Sequence, residues 1–414
     1  MGAVAWDADR ELAAFEYTAS FLKDGPEVSP IVLKLRKGIF SFPELSRRTY
    51  HGLPGLLADS IPDKFGNALI DAWLARKGWR KEDFSPVDRL CYMGSRGMGA
   101  LAFKPALRRA EKKAVPVEIG EMIKLAQYVV DNHADMLVNL KDEDHALETI
   151  IRIGTSAGGA RAKALIAWDR STNEIRSGQV APPAGFEPWI MKFDGLSDKA
   201  LGIPQNYGRV EYVYHLMATD AGIGMSECRL FEEHGRAHFM TRRFDRDRRG
   251  QKVHMQSLCA LSHYDFNMAG AYGYEQAFST IQRLNSGYDA MEQMYRRMVF
   301  NVVARNQDDH TKNIAFLMDK EGKWSLSPAF DLIWAYNPSG SWTNQHQMSI
   351  NGKRDGFTKE DLLTPARQFG IKHANRIIDE VAGSASRWPE LARENGIPEN
   401  TITRIARTHR LSFK

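Results

Sequence analysis

The sequence predicts an α+β protein, β-rich in its N-terminal part and helical in its C-terminal part. Three observations predict it. Short extended runs broken by Gly and Pro fill the first hundred residues, a strand, Gly-rich turn, strand order begins near residue 148, and two long helical patterns follow at 207–222 and 288–305.

In chain order, residues 15–21 and 31–35 read as extended segments and 63–76 as a helix. The stretch 110–118 is charged, contains Pro116 and precedes a helical pattern (Met122, Leu125, Ala126, Val129, Val130), so it reads as a linker. The expected division is 1–115, an N-terminal α+β subdomain, then 116–243, a lobe with a Gly-rich loop, then 244–414, a helical lobe. Residues 207–222 place Val210, Val213, Tyr214, Met217 and Ala221 on one face and close on Gly222, a C-cap. Residues 288–305 repeat the habit with Tyr288, Met291, Met294, Tyr295, Met298 and Val302. Both stripes read as core packing.

At 414 residues the chain is long enough for two or three compact units, and 43% hydrophobic with 26% charged residues is ordinary for a soluble globular protein. Three separated cysteines, Cys91, Cys228 and Cys259, argue against a disulfide framework and for a reducing, cytoplasmic setting. No run of about 18 apolar residues is present to cross a bilayer, so no membrane association is expected. Neither a signal peptide nor a myristoylation motif is read at the N-terminus. A formal net charge of +5 is too mild to imply nucleic-acid binding, and the basic clusters at 108–113, 242–252 and 404–410 read as solvated faces.

The strongest chemical signal is Asn306-Gln307-Asp308-Asp309-His310-Thr311-Lys312-Asn313, after a long helix and before the apolar strand 314–318. An Asp followed five residues later by an Asn suits a phosphoryl-transfer loop, where the Asp takes or orients a hydroxyl proton and the Asn amide oxygen ligates a metal. A turn at 319–322 and a second strand at 324–326 then return Asp331 toward the same mouth, as a second metal-binding carboxylate; by itself it would read as a turn cap.

Upstream, Gly154 to Lys163 (Gly-Thr-Ser-Ala-Gly-Gly-Ala-Arg-Ala-Lys) lie between apolar strand-like runs, and glycines there can bring amide groups close to phosphates. Gly154 and Gly159 have Walker A spacing, but Ala160 stands where its Lys belongs, so a glycine-rich strand-loop-strand or a plain hairpin turn remains. Lys192, alone in the strand-like run 187–193, suits a phosphate, with Glu211 on the first turn of the next helix as ion-pair partner or as helix N-terminal charge compensation. Residues 239–246 end a strand with Phe244 amid charges, as a hinge or simply a basic strand end.

In this order these segments resemble the HipA family of bacterial toxin kinases over residues 154–354, including Met348 to Lys353. Gly52 to Ala58, and Met93-Gly94 with Gly99-Ala100-Leu101, look like the family's N-terminal subdomain. The resemblance implies a bilobal protein-kinase-like fold and a Ser/Thr protein kinase using ATP and Mg2+. It makes Asp308 the catalytic residue and Asn313 and Asp331 the magnesium ligands. It assigns Gly158, Gly159, Ala160, Arg161, Ala162, Lys163, Lys192, Arg242, Phe244, His310 and Asp331 to ATP. Ser156 falls on the serine that family members autophosphorylate, which would expel the loop and switch the kinase off. Arg242 departs from an acidic residue common in the family, and Asp309 receives no role.

The implied partners are a helix-turn-helix antitoxin, a protein substrate such as an aminoacyl-tRNA synthetase whose phosphorylation stalls translation and brings on dormancy, and operator DNA reached mainly through the antitoxin. The alternatives are a non-catalytic ATP-binding component of a repressor complex and a small-molecule or lipid kinase on the same fold.

Overall fold

The strand Leu12–Tyr17 (β2) buries Leu12, Ala13, Phe15 and Tyr17 and exposes Glu16, as an interior strand does, and it pairs antiparallel with β1 (Gly2–Asp7) on one side and β3 (Ile39–Phe40) on the other. The computed structural model describes residues 1–62, 64–76, 78–107, 114–120, 122–123, 162–194, 206–247 and 249–413. The chain divides into two units, one made of Met1–Gly25, Arg36–Gly208 and Cys228–Met255, the other of Pro26–Leu35, Arg209–Glu227 and Gln256–Lys414.

In the first unit, the chain turns at Gly52, whose φ of +75° and whose pro-Cβ position 2.3 Å from the Glu11 carbonyl exclude any side chain. That turn delivers the Gly52 carbonyl to the amide of Ala13 at 2.8 Å. The helix Lys64–Arg76 forms where 63–76 predicted one. The helix Pro86–Met93 is started by a capping box, Ser85 Oγ accepting from the Asp88 amide at 3.2 Å and Asp88 accepting from the Ser85 amide at 2.9 Å, with Pro86 at the first position.

The larger sheet of this unit is antiparallel, in the order β5 (Ile175–Ser177), β4 (Lys163–Trp168), β6 (Glu187–Lys192), β8 (Arg236–Arg242), β7 (Cys228–Glu233). Every residue of β4 is buried, as expected of an interior strand covered on both faces. Ile166, Trp168, Trp189, Met191 and Met240 pack there with Ile119, Met122 and Ile123. Pro116 bridges to Arg176 and Val117 donates to the Ile175 carbonyl at 3.0 Å, so the described end of the 110–118 segment lies along this sheet.

The strand β9 (His254–Ser257), whose last two residues open the third segment of the second unit, leads into the helix Leu258–Ser262, and in that unit the hairpin β10 (Ala315–Met318) and β11 (Trp324–Leu326) turns at Gly322 with φ +81°. The helices Tyr207–Asp220, Tyr274–Arg283, Gly287–Val303, Lys359–Gln368, Ala374–Ser386, Trp388–Glu394 and Glu399–Ala406 build the rest. Val210, Val213, Tyr214, Met217 and Ala221 are buried, and Gly222 follows at φ +74°, as the sequence predicted. Tyr214 is the centre of an aromatic cluster with Phe300 and Trp388, and its hydroxyl donates to the Ala304 carbonyl at 2.6 Å.

Four expectations need correction. The 15–21 strand ends at Tyr17; Thr18 donates its amide to the Met1 carbonyl at 3.0 Å, and the chain then turns into a short helix, Ala19–Asp24. Residues 31–35 form turns and bends instead of a strand, with the Leu33 amide on the Ser29 carbonyl at 3.1 Å and Leu33 buried. Tyr288 lies off the core stripe, 39% exposed, with its hydroxyl accepting from the Lys372 amide at 2.8 Å. Glu211 sits in the second turn of its helix and is 3% exposed, so helix N-terminal compensation does not account for it.

Candidate functional site

The helix Gly287–Val303 ends where Arg305 takes φ +57°, a left-handed break that turns the chain into the 306–313 segment. Asn306 and Gln307 are then held against residue 335: the Gln307 amide donates to the Ala335 carbonyl at 3.0 Å and the Ala335 amide to the Arg305 carbonyl at 3.1 Å. His310 donates its amide to the Asp308 carbonyl at 3.0 Å, and a single turn of 3-10 helix, Thr311–Asn313, follows. The five-residue spacing between Asp308 and Asn313 closes this loop on itself, since Asn313 Nδ2 donates to the Asp308 carbonyl at 2.9 Å. With its amide nitrogen so used, Asn313 presents Oδ1 as its acceptor. Thr311 Oγ1 ties the loop to the Tyr264 carbonyl at 2.7 Å.

The β10–β11 hairpin returns the chain as expected. Beyond it the Ala329 amide donates to the Gly224 carbonyl at 2.8 Å, and Arg297 Nη2 donates to the Ser327 carbonyl at 2.5 Å. Asp331 is held at φ +54°, a conformation non-Gly residues adopt at a cost of about 1 kcal/mol or more and one frequent at functional sites. Asn306 Nδ2 reaches the Asp331 carbonyl at 3.4 Å. His310, Asn313 and Asp331 line one pocket with Asp309, Arg297 and Asn306.

Asp308 stands beside that pocket with 41% of its side chain exposed, its Oδ1 3.8 Å from His310 Nε2 and 2.6 Å from the indole Nε1 of Trp342. Burial raises its pKa above the ordinary carboxylate value and the Asp331 and Asp309 charges add to this, against His310 and the Trp342 hydrogen bond. Burial lowers the pKa of His310, opposed by Asp308 and Asp331. Arg297 is fully buried, which pushes its guanidinium down to about 9.

The donors suit a hard divalent cation such as Mg2+, which takes oxygen ligands and keeps several from water or phosphate. Among the described residues no group of three or more His, Cys, Asp or Glu side chains gathers as a metal cage. A carboxylate at 331 and an amide oxygen at 313, completed by phosphate oxygens, need none.

The remaining expected positions, Glu211 excepted, belong to the first unit. Ala162 and Lys163 open β4, Lys192 closes β6, and Arg242 ends β8 with half-buried Phe244 two residues on. Lys163 and Lys192 are direct partners in the antiparallel ladder, so their side chains share a face, and the Lys192 ammonium lies 5.6 Å from the Phe239 ring centroid. Arg242 Nη2 is 3.5 Å from Glu187 Oε1. Glu211 belongs to the second unit. Ser156, Gly158, Gly159, Ala160 and Arg161 lie outside the described residues.

Sequence reasoning did not find Trp342, Arg297 or the groups around Asp309. Trp342 sits in a polar stretch with no periodicity to flag it, and Arg297 in a helix whose pattern signals only packing.

The family model described as the HipA N-terminal domain matches residues 1–104, and the one described as the HipA-like C-terminal domain matches residues 155–388. The chain belongs to the HipA family. Its fold is similar to that of HipA of Shewanella oneidensis MR-1, solved as a toxin-antitoxin system complex with HipB and its operator DNA. The TM-score is 0.65 at 17% sequence identity, covering 99% of this chain and 92% of that one. A proinflammatory kinase of Helicobacter pylori, CtkA, aligns over 54% of this HipA-family chain and 84% of its own at 14% identity, with a TM-score of 0.37. No curated protein sequence matches the chain. The α+β architecture, sheet-rich toward the N-terminus and helical toward the C-terminus, is that of HipA, as the sequence predicted. Among the described residues no helix is long and apolar enough to cross a membrane.

Proposed function

We propose that this HipA-family chain is a Ser/Thr protein kinase toxin of a toxin-antitoxin module, transferring the γ-phosphoryl group of ATP to a protein. The observation that carries the reading is the convergence of His310, Asn313 and Asp331 on one pocket, with Asp308 3.8 Å from His310 and raised in pKa. In this reading Asp308 orients the substrate hydroxyl and accepts its proton, for which a raised pKa is an advantage. Asn313 Oδ1 and the Asp331 carboxylate hold magnesium, which neutralises charge on the phosphates. His310, beside both carboxylates, contacts the nucleotide.

In the first unit Lys192, assisted by Lys163, takes the α- and β-phosphates. Glu211 serves as the ion-pair partner of Lys192. Gly158 to Lys163 form the ATP loop, Arg242 and Phe244 the hinge, and Ser156 the autophosphorylation site that switches the enzyme off. The functional division at residues 115 and 243 belongs to the same reading.

The partners proposed are a helix-turn-helix antitoxin of the HipB kind, supported by the Shewanella oneidensis complex, operator DNA reached through it, and an aminoacyl-tRNA synthetase as substrate. The test is incubation of the intact protein with Mg2+ and labelled ATP, followed by phosphopeptide mapping. Phosphate on Ser156 or on a synthetase, lost in Asp308→Ala, is the expected result. ATP binding without transfer would instead support a non-catalytic nucleotide-binding component, and transfer only to small molecules or lipids would move the substrate class.

A further inference from the structure

Asp309 follows Asp308 directly but faces the interior, with 3% of the residue exposed. Its carboxylate is held by three groups from two separate parts of the second unit. Tyr274 donates its hydroxyl to Oδ2 at 2.8 Å, His346 Nδ1 lies 2.8 Å from the same oxygen, and the Gln347 amide donates to Oδ1 at 2.8 Å. The hydrogen bonds continue on either side. Toward the pocket, the Tyr274 hydroxyl accepts from Asn301 Nδ2 at 2.8 Å, and Asn301 Oδ1 accepts from Asn306 Nδ2 at 2.9 Å. Because Asn306 Nδ2 also reaches the Asp331 carbonyl, a single buried chain joins the carboxylate beside Asp308 to the main chain of Asp331.

On the other side, His346 is completely buried and Arg410 Nη1 lies 3.4 Å from its Nε2. Arginine has donors only, so Nε2 accepts, the proton sits on Nδ1, and Nδ1 donates to Asp309. The Arg410 guanidinium also pairs with Asp355, and its amide donates to the Val303 carbonyl at 2.8 Å. Two residues earlier the Thr408 carbonyl accepts from Arg305 Nε at 2.9 Å. The segment 408–410 therefore grips the last turn of the helix Gly287–Val303, the residue that breaks it, and the histidine behind the following loop.

We propose that Asp309, His346 and Arg410 are positioning residues, through which docking of the segment 408–410 sets the 306–313 loop and so the placement of Asp308 relative to Asp331. A loop whose inward-facing carboxylate accepts three buried hydrogen bonds cannot rotate without breaking several of them together. The catalytic consequence rests on the reading of Asp308 as the base; the mechanical one does not.

The experiment compares the full-length protein with Arg410→Gln and Arg410→Lys, by steady-state phosphorylation and by hydrogen exchange of peptides covering 306–314. In Arg410→Gln, kcat should fall about tenfold or more while the KM for ATP stays within about twofold, since small misplacement costs rate more than binding. Exchange in 306–314 should rise about tenfold with the helix Gly287–Val303 unchanged, and Arg410→Lys should recover most of both. Unchanged exchange in 306–314, or a rise spread evenly over the whole unit, overturns the proposal. So does a loss in KM alone. If the wild-type protein transfers no phosphate, the kinase reading fails and exchange in Arg410→Gln alone decides the positioning role.

Discussion

The indole Nε1 of Trp342 donates a 2.6 Å hydrogen bond to Oδ1 of Asp308. One carboxylate oxygen is thereby occupied and the rotation of the side chain is restrained, which leaves the other oxygen for the substrate hydroxyl that the proposed function places there. Trp342→Phe keeps an aromatic ring and removes the donor. The expected outcome is a fall in kcat of about tenfold with little change in the KM for ATP, measured by steady-state phosphorylation. A variant with wild-type kcat would show that the bond does not orient the carboxylate.

Asn313 clasps the Asp308 carbonyl through Nδ2, and the proposed function gives its Oδ1 a second task as metal ligand. Asn313→Ala should raise the Mg2+ concentration for half-maximal activity about tenfold and lower kcat as the loop loosens. Titration of activity with Mg2+ checks this, and an unshifted midpoint would remove Asn313 from the ligand set.

Asp245 is completely buried between two guanidiniums, Arg243 Nη2 and Arg246 Nη1 each 2.7 Å from its Oδ2, and it accepts the Gly99 amide at 2.8 Å. Asp245→Asn leaves two buried cations without their counter-charge and should cost about 3–5 kcal/mol in denaturant unfolding. Burial pushes the Asp245 carboxyl up, but Arg243, Arg246 and the Gly99 amide outweigh it and hold it at about 2. With the folded value below the unfolded one of 3.8, the stability it contributes is present above pH ~4 and is lost as pH falls toward 2. The acid limb of the wild-type stability curve in that window should flatten in the variant.

His238 is 0% exposed, accepts the Asp194 amide on Nδ1 at 2.9 Å, and is lowered in pKa to about 4, by burial first and by Arg236 second. The unfolded chain takes up a proton near pH 6.5 while the folded one does not until about 4. Stability is therefore full above pH ~6.5 and falls between pH ~6.5 and ~4, by up to about 3 kcal/mol for this one group at 1.36 kcal/mol per pH unit. Denaturant midpoints from pH 7 to pH 4 test it, with His238→Gln expected to show a shallower slope. Equal slopes in both proteins would mean the ring is protonated in the folded state.

Sequence alone determined what neighbouring residues decide among themselves. The five-residue reach from Asp308 to Asn313 becomes a loop closed by its own side chain, the hairpin turning at Gly322 returns the chain to Asp331, and the apolar stripe of Tyr207–Asp220 is buried where its period put it. Each follows from hydrogen bonds or periodicity within a few residues.

Only the tertiary structure decided the rest. The spacing to Asn313 singles out Asp308, but nothing local tells what surrounds Asp309; one carboxylate is left partly open and the other is buried, where Tyr274, His346 and Gln347 arrive from far along the chain. Arg410 meets His346 across 64 residues, and the strand expected at 15–21 gives way after Tyr17 to the helix Ala19–Asp24. Where a group's partner is remote, its environment is set by packing, and packing is a property of the assembled chain that no short window of sequence contains.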